Sequence, residues 1–336
     1  MERNYLLDKV LGGIYGQALG DAFAMPAMLR PEVTKKRFGR INEFLDAPDD
    51  HPAHHGLKAG TITDDTQQAM SIARTLIKER KISVAGAAEA IVNWYDMVDG
   101  DNNDYVGPST RKAVMKLKKG YDPQTTGVQG DTNGGAMRIS PIGLINPGNI
   151  EQTVLDTATA CTPTHNTDVA ISGASAIAGA ISYAMTKNST FNDIFNNAKR
   201  ASILGLKFGS PWMGASIYKR IDLAINLAEQ NKDIYDRLVD IYDIIGCGLL
   251  TSEAVPAAFG VFHIAGGDII KCAQYASILS GDADTIAAMA CAIAGAWNGF
   301  NRIPHNFVKK LDDVNNMWNF REIAEGITDL AMERLK

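Results

Sequence analysis

Apolar residues recur at helical spacing along most of the chain. Ala69, Met70, Ile72, Ala73, Leu76 and Ile77 predict one buried face, Ile217, Ile221, Ala224, Ile225 and Ala228 a second, and Ile323, Ile327, Leu330, Ala331 and Leu335 a third. The uncharged run from Val169 to Thr186 is mostly Ala, Gly, Ser and Ile. It is marginal for a membrane span and reads as a buried helix whose small side chains let neighbours approach closely. No stretch alternates β-branched or aromatic residues between hairpin turns, so strands are not predicted. Helix starts are marked at Ser83, at Pro108-Ser109-Thr110, at Thr190 and at Thr251-Ser252-Glu253. Loops are predicted over Pro26–Thr63, Asp99–Gly107, Gly120–Gly135, Pro141–Asn149 and Ala265–Asp268. With no flexible linker and no repeat, residues 1–336 are read as one compact all-α, multi-helix domain.

Composition narrows the class. Hydrophobic residues make up 46% and charged residues 21%, which excludes disordered, collagen-like and disulfide-scaffold chains. A formal net charge of -5 gives no global attraction for nucleic acid or an anionic membrane. Cys161, Cys247, Cys272 and Cys291 form no C-x-x-C pair, so neither a zinc cluster nor a redox pair is predicted. A reducing, cytoplasmic setting is expected. Charges at Glu2, Arg3, Asp8 and Lys9 fall where a signal peptide needs its apolar region.

Two acidic clusters carry the first chemical signal. Thr63-Asp64-Asp65-Thr66 and Asp282-Ala283-Asp284-Thr285 each run into an apolar helical segment. One reading is capping, since Asp and Thr accept hydrogen bonds from free helix N–H groups. The other is a cation site, because buried carboxylates need compensation and hard divalent ions prefer carboxylate and hydroxyl oxygens. Both readings stand at this level. The loop Gly130-Asp131-Thr132-Asn133-Gly134-Gly135-Ala136-Met137-Arg138 suits an anion through its backbone and the Arg138 fork, although an ordinary turn before a helix would have the same residues. No Gly-Lys-Ser/Thr follows, so it is not a Walker A loop. His165 is either a structural hydrogen-bonding group or a ligand, and His51, His54 and His55 either line a pocket or belong to a solvated loop.

Taken in order, Gly12 to Ala22, Thr63-Asp64-Asp65-Thr66, Gly107-Pro108-Ser109-Thr110-Arg111, Asn133 to Arg138, Thr164-His165 and Gly281 to Thr285 resemble the ADP-ribosylglycohydrolase family across nearly the whole chain. The resemblance implies an all-α fold around a central cleft with a binuclear site for Mg2+ or Mn2+. Its ligands would be Thr63, Asp64, Asp65, Asp282, Asp284 and Thr285. It further implies that Asn133, Gly134, Gly135, Met137, Arg138 and His165 lie beside the phosphate or ribose of the substrate. The expected reaction is hydrolysis of an ADP-ribosyl glycosidic bond on a protein or small molecule. The family motif Gly-Asp-Ala-Leu-Gly-x-Pro-x-Glu is changed here to Gly20-Asp21-Ala22-Phe23-Ala24-Met25-Pro26-Ala27-Met28, so Met28 stands at the acidic position. Glu32 is no simple replacement, because Pro31 disfavours a helix continuing through it. Tyr105 occupies a second position that is Asp in some members, which leaves the adjacent Asp104 as the candidate general base. The Met28 change also motivates two alternatives, hydrolysis of a small N-riboside or nucleoside-like metabolite, and a ribosyl and metal binding relative without turnover.

Overall fold

Gly12, Gly16 and Gly20 line one face of the Arg3–Ala24 helix and lie against Gly295, Cys291 and Ala287 of the Ala283–Asn298 helix. A Cβ at Gly12 would stand 2.2 Å from the Gly295 carbonyl oxygen, and one at Gly16 would stand 2.3 Å from that of Cys291. Only glycine lets these two backbones meet. The contacts ascend one helix as they descend the other, so the pair is antiparallel. Asp21, one residue beyond the last glycine contact, is thereby delivered to the entry of the second helix, where Asp282 and Asp284 sit.

The computed structural model describes residues 1–336 as eighteen α-helices and three short 3-10 turns. There is no sheet; Thr132 with Leu250 and Thr167 with Ser210 form isolated bridges. One continuous cluster of 87 buried apolar residues runs through the molecule, built around the central antiparallel pair. The predicted faces are buried, except that Ile77 and Ile225 are half-buried and Leu335 is exposed just beyond the Phe320–Arg334 helix. The uncharged run forms the Asp168–Ala184 helix, almost wholly buried, with Ser172 hydroxyl bonded at 2.8 Å to Ser202 of the Phe191–Gly205 helix. No helix is long and apolar enough to cross a membrane.

Three of the predicted loops contain helices. Pro31–Phe38 interrupts the first, Pro123–Thr126 and Gly134–Met137 the second, and Ser140–Leu144 the third. Proline explains most of this: in the 31–38, 123–126 and 140–144 segments it occupies the first or second helical position, where its missing N–H is no loss. Gly39, at φ +62°, ends the Pro31–Phe38 helix. The loops at 99–107 and 265–268 are as expected.

Candidate active site

Thr63 heads the Asp64–Glu79 helix in extended backbone, yet its side chain caps nothing. The cap comes from Asp21. Its carboxylate accepts hydrogen bonds from the Thr63 N–H at 3.0 and 3.1 Å, the Thr63 hydroxyl at 2.8 Å, the Thr66 N–H at 3.2 Å and the Thr66 hydroxyl at 2.6 Å. Capping at this helix is served from another helix, so Asp64 and Asp65 are not needed for it. Asp64 Oδ2 accepts from Gln68 Nε2 at 3.1 Å, and Asp65 Oδ2 lies 3.1 Å from the Thr63 hydroxyl, whose single proton is shared with the shorter contact to Asp21. Asp65 Oδ1 is buried with no partner.

The second cluster is held by a clamped turn. Ser280 and Gly281 adopt φ of +65° and +69°, the Gly281 N–H donates to the Leu29 carbonyl at 2.8 Å, and the Asp282 N–H donates to the Cys247 carbonyl at 2.7 Å. A Cβ on Gly281 would meet the Cys247 carbonyl oxygen at 2.3 Å, so glycine is required there. Asp282 makes no side-chain cap; it accepts instead from the Asn133 amide. Asp284 Oδ1, like Asp65 Oδ1, has no partner.

The fold therefore gathers Asp21, Asp64, Asp65, Asp282 and Asp284, none more than 6% exposed. Burial raises the pKa of each, and mutual repulsion adds to it for Asp64, Asp65, Asp282 and Asp284. Asp284 is pushed up to about 7 by burial and then by Asp21. Asp21 rises only to about 6, because the four threonine donors oppose its burial. Arg138 is the only arginine or lysine in the buried interior, and it is engaged elsewhere. A cluster of this kind, with two orphaned oxygens and threonine hydroxyls beside it, has the hard oxygen donors that Mg2+ or Mn2+ takes. As they stand, no three of the acidic or imidazole groups are arranged to hold one ion between them.

Asp64, Asp65, Asp282, Asp284 and Thr285 line a cavity of about 140 Å³, together with Met28, Asp104, Asn133, Gly134 and Met137. A neighbouring cavity of about 650 Å³ shares Met28, Leu249 and Asp282 with it. Thr63 lies behind this lining, bound to Asp21. Asn133 is fixed by its N–H, which donates to the Leu249 carbonyl at 2.8 Å. Asp104 sits exposed at the mouth, 3.9 Å from His55 Nε2.

Three residues expected at the substrate are not brought to the cavity. Arg138 is 1% exposed and turns inward, donating to Gln68 Oε1 at 2.7 Å and to the Thr164 hydroxyl. Burial lowers its pKa to about 10. His165 is fully buried between the Thr164 hydroxyl, 2.8 Å from Nδ1, and the Thr132 hydroxyl, 3.0 Å from Nε2. Burial and then Arg138 hold it neutral, well below the usual histidine range. Gly135 packs on Cys161 and His165. These residues brace the 133–138 loop from behind. Pro31 starts a separate helix, so Glu32 does not replace Met28 by helix continuation, and Glu32 is absent from the cavity lining.

Two further residues complete the site: Asp21 as a cap, which local sequence does not show, and His54, one of the histidines expected either to line a pocket or to lie in a solvated loop. Asp21 stood inside the Gly20-Asp21-Ala22 motif, but its cap acts on a helix far along the chain. His54 is 2% exposed, lines the cavity, and has Nε2 3.4 Å from Asp284 Oδ2. Its ring stacks on His51 at 4.8 Å and lies 5.9 Å from Tyr105. Burial lowers both His51 and His54 to about 4.

A family model described as ADP-ribosylglycohydrolase matches residues 2–335. The Escherichia coli K12 protein YegU, itself uncharacterized, is 33% identical over 97% of this chain and 98% of its own. An ADP-ribosylarginine hydrolase, Tri1, of Pseudomonas putida GB-1 is 25% identical over 91% of this chain and 74% of its own. A solved chain from an ADP-ribosylglycohydrolase-related protein complex shares the fold, with a TM-score of 0.67 at 20% identity over 98% of this chain and 100% of that one. With the family model spanning almost every residue and the helical architecture in agreement, the chain belongs to the ADP-ribosylglycohydrolase family of hydrolases.

Proposed function

We propose that this protein hydrolyses the glycosidic bond of an ADP-ribosyl group carried by a protein or a small molecule. It would do so with two divalent ions, Mg2+ or Mn2+, held by Thr63, Asp64, Asp65, Asp282, Asp284 and Thr285. The observation that carries the reading is the buried five-carboxylate cluster with Asp65 Oδ1 and Asp284 Oδ1 unpartnered at a cavity wall. Such a cluster is unfavourable on its own and becomes favourable around cations. When bound, the ions supply positive charge that attracts the vicinal ribose hydroxyls and lowers the pKa of water.

The remaining roles belong to the chain itself. The cavity of about 140 Å³ suits a ribose-sized group, and the adjoining cavity of about 650 Å³ gives room for the rest of the substrate. Asn133, Gly134 and Met137 line the sugar side, with Arg138 and His165 keeping their loop in register. Water attacks the anomeric carbon and gives a proton to a carboxylate, while the bond from that carbon to the leaving group breaks with its electron pair going to the leaving group, which takes up a proton. Asp104, at the mouth and outside the acid cluster, is the assigned general base.

The P. putida relative named for ADP-ribosylarginine makes an arginine-linked substrate the first to try. Incubating the Mn2+-loaded protein with ADP-ribosylated arginine, ADP-ribosylated serine and a panel of ribosides, and measuring released ribosyl product, tests the reading. Release from an ADP-ribosylated substrate supports it. A second reading, hydrolysis of a small N-riboside, is favoured by Met28, which supplies an apolar wall where an acid would otherwise stand; release from ribosides alone selects that one. No release from any substrate by ion-loaded protein indicates a binding relative without turnover.

A further inference from the structure

The segment His51-Pro52-Ala53-His54-His55 brings imidazole into a cleft otherwise built from oxygen donors. His51 Nδ1 accepts from the Ala53 N–H at 3.2 Å and the His54 N–H at 2.8 Å, closing a turn that fixes the His54 backbone. Stacking on His51 then fixes the plane of the His54 ring. The ring is 2% exposed, and its Nδ1 has no hydrogen-bond partner. Its Nε2 faces Asp284 Oδ2 at 3.4 Å, while Asp284 Oδ1 has no partner either. A buried imidazole and a buried carboxylate thus face each other across 3.4 Å at the cavity wall.

That separation has a chemical meaning. Two donors bound to one ion at about 2.1 Å each lie about 3.0–3.4 Å apart, depending on whether the geometry is octahedral or tetrahedral. An uncharged imidazole offers a lone pair at one nitrogen. We propose that His54 Nε2 is a ligand of the divalent ion on the Asp284 side of the cleft, which makes that position a mixed nitrogen and oxygen site. This inference rests on reading the acidic cluster as an ion site. Its consequence is selectivity: imidazole favours later transition ions such as Co2+, Ni2+ and Zn2+, whereas an all-oxygen set suits Mg2+ and Mn2+.

The test is pulsed electron paramagnetic resonance on Mn2+-loaded wild-type protein with histidine isotopically labelled. The spectrum should contain nitrogen modulation that changes with the histidine label, His54→Gln should remove it with Mn2+ still bound, and the exposed His55→Gln, outside the cavity lining, should retain it. In titrations, His54→Gln should lower Co2+ affinity by about tenfold or more and change Mg2+ affinity by less than about threefold. Wild-type Mn2+ bound without histidine coupling, and lost in Asp282→Asn, would overturn the assignment of His54 while leaving the ion site intact. Failure of wild type to bind Mn2+ at all would overturn both. The wild-type spectrum decides even if a variant fails to fold.

Discussion

Asp21 on the amino-terminal helix holds Thr63 at the start of a distant helix, taking its hydroxyl at 2.8 Å and its N–H at 3.0 Å. The same carboxylate takes both donors of Thr66. One side chain thus ties the central helix pair to the first acidic cluster. Asp21→Ala leaves those donors without an acceptor in the interior and should lower stability by about 2–4 kcal/mol, measured by urea unfolding. Asp21→Asn keeps one acceptor oxygen and should fall between that variant and wild type.

The acid cluster predicts an unusual pH dependence for the protein freed of ions with a chelator. Asp21 and Asp284 have folded pKa values of about 6 and about 7, above the ordinary aspartate value of 3.8. The folded state holds more protons than the unfolded chain across this range, so stability decreases as pH rises. Their contribution is fully present below about pH 4 and is lost through pH 6 to 7. Melting temperatures between pH 5 and pH 8 should fall in chelator, and saturating Mn2+ should remove that decline. A chelated protein equally stable at both pH values would contradict the assignment.

Arg138 should act on stability and leave charge recognition to other groups. Its guanidinium binds Gln68 and Thr164 inside the molecule, so Arg138→Ala creates a cavity and strands both partners. A loss of about 3 kcal/mol or more is expected in urea unfolding. The folded fraction should keep the wild-type preference for ADP-ribose over ribose in calorimetry. Loss of that preference with unchanged stability would return the guanidinium to the phosphate.

The helix pair makes a steric prediction. Gly16→Ala would put a Cβ 2.3 Å from the Cys291 carbonyl oxygen, where the opposing atom is backbone and cannot swing aside. Separation of the two helices should destabilise the protein by about 3 kcal/mol and weaken Mn2+ binding by moving Asp21 away from Asp284. Wild-type unfolding by the variant would show that the backbones are not in contact.

What the sequence disclosed followed the range of each interaction. The faces at Ala69–Leu76 and Ile217–Ala224 are local periodicities, so they were readable directly, as was the coincidence of paired aspartates with two helix starts. The helix at Pro31 was hidden because proline both breaks and begins helices, and only the extended backbone of Arg30 distinguishes the cases. Asp21 as a cap, Arg138 facing inward and His54 aimed at Asp284 depend on contacts between residues far apart in the chain. Local pattern carries no information about such pairs. That Asp64 and Asp65 do not cap their own helix likewise depends on Asp21, which supplies the cap from far along the chain.

Whether the two acidic helix starts hold cations is tested by calorimetric titration of wild type, Asp64→Asn and Asp282→Asn with Mg2+ and Mn2+. Two ions are expected on the wild type, with sharply weaker binding in each variant and the helical circular dichroism retained. Unchanged affinity and stoichiometry in both variants would contradict the cation reading.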